Sequence, residues 1–92
     1  MPQNTGVEKE REHFSYYTAT ILFAGRLLDL TEKLMSDGMS FEKAFMNALE
    51  EAEIGPHHVS VTMKEHAIRF LKLKGERLAV HMEASYNYLR NK

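Results

Sequence analysis

The residues of this chain best equipped for chemistry are its five histidines: His13, His57, His58, His66 and His81. Histidine is both a metal ligand and an acid–base group near neutral pH. Glu10 and His13 stand three residues apart, so on a helix they share a face. His81 would have to join them, with Glu83 close by in sequence but turned away. A zinc site needs three or four converging ligands. A di-iron site in a helical bundle needs two Glu-x-x-His pairs plus two further glutamates, and Glu10–His13 is one pair alone. His57 and His58 are adjacent, a spacing that does not aim both rings at one centre. The expectation is therefore solvated or edge histidines, with no metal and no cofactor.

Nucleophilic chemistry has less support. Ser15, Ser36, Ser40, Ser60 and Ser85 sit in no nucleophile elbow or triad context. The five glycines are scattered, so they build no phosphate-cradling loop. The absence of cysteine excludes disulfides, thiol catalysis and cysteine–zinc sites. The reading is a protein that is not an enzyme.

Two other groups of side chains suit binding. Phe14, Tyr16, Tyr17, Tyr86 and Tyr88 are aromatic residues near the two ends of the chain. Tyrosine combines an apolar body with a polar tip and is common at interfaces. Tyr16 and Tyr88 lie off the main apolar stripes and are the expected exposed members. Charge is also unevenly spread. Residues 60–92 carry seven bases against three acids, and residues 36–59 carry one base, Lys43, against five acids. Arg69, Lys72, Lys74 and Arg77 could meet an acidic partner or a nucleic-acid backbone. The formal net charge of the whole chain is -1, which is not that of a general polyanion binder.

These side chains must be carried by helices. At 92 residues, 43% hydrophobic and 27% charged, the chain is one ordinary globular domain near the small end of what folds alone. Thr5-Gly6-Val7-Glu8 and Thr62-Met63-Lys64-Glu65 both read Thr-x-x-Glu, the reciprocal capping box of a helix start. After a polar lead-in, Met1 to Asn4, helix 1 is expected over about 6–36. Phe14, Tyr17, Ile21, Ala24, Leu28 and Met35 make one stripe, and Phe23, Leu27, Leu30 and Leu34 make a second beside it. A face this wide points to two neighbours rather than one. Asp37-Gly38 stops the helix, with Gly38 suited to the left-handed cap.

Ser40 caps helix 2, expected over about 40–53, whose apolar face is Phe41, Ala44, Phe45, Ala48, Leu49 and Ala52. Gly55-Pro56 closes it. Helix 3 is expected over about 62–90, with Ile68, Leu71, Leu78, Met82 and Leu89 as its stripe and Gly75 within that stripe. Glycine costs only about 1 kcal/mol in a helix interior, so the preferred reading keeps this arm unbroken; a break at Gly75, giving a four-helix monomer, is the alternative. The linker between helices 2 and 3, about 53–61, is too long for a DNA-binding helix-turn-helix.

The predicted fold is all-α: a long–short–long three-helix chain, an antiparallel hairpin assembling as a dimeric helical bundle. An arm of about 30 residues spans about 45 Å, against a radius of gyration of about 13 Å for a compact domain of about 100 residues. Two such arms expose apolar surface that a second copy would cover. Pairing about the midpoints brings Gly25 to Gly75, puts Phe14, Tyr16 and Tyr17 near Tyr86 and Tyr88, and puts His13 near His81. Met35, Met39, Met46 and Met63 then gather around helix 2.

The most apolar stretch, Ala19 to Leu30, is too short to span a membrane and is interrupted by Arg26 and Asp29. The expected protein is cytoplasmic and homodimeric, and acts as a regulator, adaptor or inhibitor on a protein partner. The expected partner-binding residues are Tyr16, Tyr88, Met39, Arg69, Lys72 and His81. A nucleic-acid-binding dimer using the basic face of helix 3 is the alternative, and a small all-α enzyme or ligand-binding protein with a site between helices is the next.

Overall fold

A computed structural model of the chain describes residues 5–55 and 58–91, with the side chains of 5–15 outside that description. Among the described residues the chain is all-helical, with four α-helices: α1 (Thr5–Ser36), α2 (Phe41–Ala52), α3 (Val61–Leu73) and α4 (Ala79–Arg90). The expected Thr5–Glu8 capping box, Phe14, the Glu10–His13 pair, Pro56 and His57 lie outside the described side chains. No described helix is long and apolar enough to cross a membrane.

The first two helices follow the sequence signals. α1 ends on Gly38, whose φ of 104° is the left-handed conformation that glycine adopts without strain. The Gly38 N–H donates to the Met35 carbonyl and the Met39 N–H to the Leu34 carbonyl, both at 3.0 Å. This is the Schellman pattern, which satisfies carbonyls the helix would otherwise leave open. Ser40 then caps α2, its hydroxyl accepting from the Lys43 N–H at 3.4 Å. At the other end of α2, the Arg26 guanidinium reaches from α1 to donate to the carbonyls of Glu51 and Ile54, at 3.2 and 2.9 Å. A cation there also meets the negative end of the helix dipole. Arg26, which interrupts the apolar run of α1, thus ties the two helices together.

The second half departs from the expected single arm. Gly75 has a φ of 84°. The Gly75 N–H donates to the Lys72 carbonyl and the Glu76 N–H to the Leu71 carbonyl, both at 3.0 Å. This is a second Schellman ending, so the expected three-helix count is corrected to four. α3 and α4 fold back antiparallel, as ion pairs from Lys72 to Glu83 and from Glu65 to Arg90 show. The cap of α3 also moves: Ser60, not Thr62, accepts the Met63 N–H, at 3.1 Å. A side-chain oxygen two residues upstream of Thr62 reaches the first turn, and α3 begins earlier to suit it.

The reversal at Gly75 resets the expected register. Gly25 and Gly75 do not cross: a Cβ built on either would meet nothing within 4 Å. His81 is not at the N-terminal end of α1 but packs edge-on against Phe41, with ring centroids 5.9 Å apart. Tyr16 meets His66 rather than Tyr86 or Tyr88. The four methionines do not gather: Met63 lies with Phe23 and Ala52 beside the end of α2, and Met39, just before α2, contacts Asn47 at its middle.

One core unites the helices. α1 packs on α2 and α3, as its wide apolar face requires, and α4 packs on α3. Phe23, Ala24 and Leu27 of α1 meet Phe45, Ala48, Leu49 and Ala52 of α2, Ala67, Ile68 and Leu71 of α3, and Ala79, Met82 and Tyr86 of α4. Two buried polar side chains, Thr20 and Thr31, donate to the carbonyls of Tyr16 and Leu27 one turn back, at 2.8 and 2.7 Å. This local bonding removes the cost of burying a hydroxyl. The long axis of the molecule is 57 Å, and α1, at about 48 Å, accounts for most of it.

Candidate functional site

α2 and α4 form an apolar groove because of how their faces are aimed. On α2 the core face is Ala44, Phe45, Ala48, Leu49 and Ala52. Glu42 and Met46, one turn apart, fall on the edge of that face. On α4 the core takes Ala79, Met82 and Tyr86, spaced by three and four. Ala84, Ser85 and Tyr88 fall on the flank turned to α2. Ala84 and Ser85 are too small to fill the space between the helices. The result is a groove of about 410 Å³ lined by Glu42, Phe45, Met46, Ala84, Ser85, Tyr88 and Leu89.

The floor and the walls of this groove differ. Phe45 is fully buried and stacks on Phe41, with ring centroids 5.6 Å apart and planes 8° from parallel. Met46 is 50% exposed and Tyr88 67% exposed. Large apolar side chains are thus held up at the rim over a rigid aromatic floor. The lining contains one carboxylate, Glu42, and no base.

The six residues singled out from the sequence do not share one site. Tyr88 lines the α2–α4 groove. His81 stands one turn further up the same flank of α4, in a shallow depression with Glu32, Met35, Glu76, Arg77 and Leu78. Met39 is in the α1–α2 turn, its sulfur accepting from the Asn47 amide at 3.5 Å. Tyr16 is half-buried between α1 and α3, its hydroxyl 2.9 Å from His66 Nδ1. Lys72 pairs with Glu83 at 2.9 Å. Arg69 lines a small α3–α4 cleft of about 190 Å³ with Glu65, Ile68, Glu83, Tyr86 and Asn87. Burial pushes the Tyr86 hydroxyl above the usual tyrosine range, with Lys64 opposing the shift and Glu65 adding to it.

The basic face is smaller than its sequence suggests. Besides the Lys72 pair, Lys64 meets Glu53 at 3.0 Å, Arg90 meets Glu65, and Lys74 lies 5.4 Å from the centre of the Phe70 ring. Arg69 and Arg77 are exposed and form no ion pair among the described residues. No three histidine, aspartate or glutamate side chains converge to hold a metal ion among the described residues.

The sequence reading missed the groove itself. Its one visible signal was Met46, an apolar residue among the charged and polar residues Glu42, Lys43, Asn47, Glu50 and Glu51 of the outer face of α2. No protein-family model, no curated protein and no solved structure matches this chain.

Proposed function

We propose that this chain is a protein-binding module without catalytic activity, a regulator, adaptor or inhibitor, and that its docking surface is the groove between α2 and α4. The observation that carries this reading is the pairing of exposed Met46 and Tyr88 over the buried Phe45. Methionine suits adaptable contact surfaces, and tyrosine supplies contact area at low entropic cost. A cytoplasmic setting goes with a chain that uses no cysteine. The test is a photo-crosslinking amino acid placed at Met46 or Tyr88 in living cells, with Thr62, exposed at the start of α3 and outside the groove, as the control position. A discrete adduct with another polypeptide from the groove positions, absent at position 62, is the expected result. Groove positions that crosslink no more than the control would remove the reading.

A second reading, self-association through α1, is favoured by a different observation. Ile21 is 47% and Leu22 62% exposed. Gly25 sits one turn further on, between them around the helix, with open space where a side chain would be. A second copy laid across this face would approach the backbone closely. Light scattering across a concentration range checks it. A mass near twice 10.6 kDa that falls to the monomer value in Ile21→Glu is expected; a monomer at every concentration rejects it.

A further inference from the structure

With the α2–α4 groove taken as the docking surface just proposed, we infer that its occupant is a cationic amphipathic helix. The shape points to a rod. The groove is bounded by two helices, with buried Phe45 and half-buried Leu89 beneath and exposed Met46 and Tyr88 beside. A partner helix fills such a channel by presenting apolar anchors at i, i+3 or i+4, and i+7.

The charge of the occupant follows from the margins. Glu42, Met46 and Glu50 form one row on α2, spaced four apart, and all three are exposed. Met46 therefore has a carboxylate one turn to either side. Lys43, three residues before Met46, is also its neighbour but stands on the side away from Phe45, outside the groove lining. The α4 margin supplies Ala84, Ser85 and Tyr88, without a base. The nearest described cation on that helix, Arg90, is held by Glu65 of α3. His81, one turn before Ser85 on this flank, packs edge-on against Phe41. An apolar channel with an acidic margin and no base selects against anionic flanks by repulsion and for cationic ones by attraction. Lysine and arginine also lay their stems along apolar walls while their charges reach the carboxylates.

Among the described residues, a cationic apolar surface of the chain itself is Leu73, 82% exposed at the end of α3, with exposed Arg69 one turn before it. It presents a single leucine at a turn, not the successive anchors of a helix face, so a second copy is the occupant to be separated by experiment.

The experiment uses the full chain and labelled model helices of about 16 residues, long enough to hold helix in water. All share one face of Leu, Phe and Met anchors, and they differ only in carrying Lys or Glu on the flanks. Fluorescence anisotropy should show saturable binding of the Lys series, at least about tenfold tighter than the Glu series and weakening with added salt. Met46→Lys should weaken Lys-series binding by at least about tenfold, and Glu42→Lys should reduce or invert the preference between the series; both positions are exposed, and unchanged melting curves confirm intact folding. Equal binding of both series, no binding of either, or binding indifferent to both substitutions overturns the inference. A wild-type oligomer that Met46→Lys dissociates would make the occupant a second copy and overturn it as well. Failure of the model helices leaves a crosslinked foreign polypeptide at Met46 or Tyr88 unaffected, so the broader reading is judged on its own; a second copy in the groove would instead crosslink to the chain itself.

Discussion

The two glycines that end helices, Gly38 and Gly75, do the same thing in different company. Each has a positive φ and each closes a Schellman motif with two 3.0 Å hydrogen bonds. After Gly38 comes Ser40, whose side chain starts the next helix. After Gly75 the next helix has Leu78 at its N-cap, with no side-chain cap bond. A helix stop is legible when a start follows it. Without one, a left-handed glycine looks like a tolerated interruption.

The apolar pattern deepened that ambiguity. Ile68, Leu71, Leu78 and Met82 keep a helical phase through Gly75, and three of the four are buried in one cluster. Both a continuous arm and a hairpin can bury them, because the turn between α3 and α4 returns the chain to the same core. If the two halves are as unequal in stability as they are in legibility, core truncations will reveal it. Phe45→Ala in α2 is expected to cost about 3–5 kcal/mol and Met82→Ala in α4 about 2–5 kcal/mol. Because both side chains belong to one cluster, denaturant melts of each variant should show one transition, seen alike by far-UV circular dichroism and by tyrosine fluorescence. A second transition in Met82→Ala alone would mean that α3–α4 is a satellite on an independently stable α1–α2 pair.

The glycines themselves are the next sharpest probe. Gly38→Ala and Gly75→Ala should each destabilise by about 1–2 kcal/mol, the cost of forcing an L-residue into the left-handed region. Space is not the issue, since an added Cβ meets nothing within 4 Å at either site. Asn at position 75 should recover part of the loss, because its side chain tolerates that conformation. A neutral or stabilising Gly75→Ala would restore the continuous arm and erase the contrast drawn above.

The caps test the same contrast on a smaller scale. Ser40→Ala and Ser60→Ala should each cost about 1 kcal/mol, a fall in Tm of roughly 4–8 °C for a chain of this size. Thr62→Ala, at the position the Thr-x-x-Glu pattern pointed to, should be close to silent, since Thr62 is an exposed residue inside the first turn. The pattern misled because the structure offers two hydroxyls within three residues, and Ser60 is the one placed outside the helix, with extended backbone. The groove was hidden for a related reason. It is assembled from edge residues of two helices whose mutual register depends on the Gly75 turn. Tyr88 could be flagged as lying off the main stripe, but nothing in one strand of sequence set it opposite Met46.

The smallest expected effect has the opposite sign. Gly25 sits inside α1 with no positive φ and open space around it. Ala there removes the conformational freedom that glycine loses on folding, without strain or clash. Gly25→Ala should therefore stabilise an isolated chain by about 0.5–1 kcal/mol, where the same change at Gly38 and Gly75 destabilises. Its sign also reports on what lies outside the chain. Ile21 and Leu22 are exposed beside it, and a helix from a second copy crossing at Gly25 would occupy the space a methyl group needs. Melting at two protein concentrations separates the cases. A stabilised variant whose Tm does not move with concentration leaves Gly25 a plain helix residue. A variant that melts lower than wild type, by a margin that grows with concentration, makes the glycine the contact point of two α1 helices.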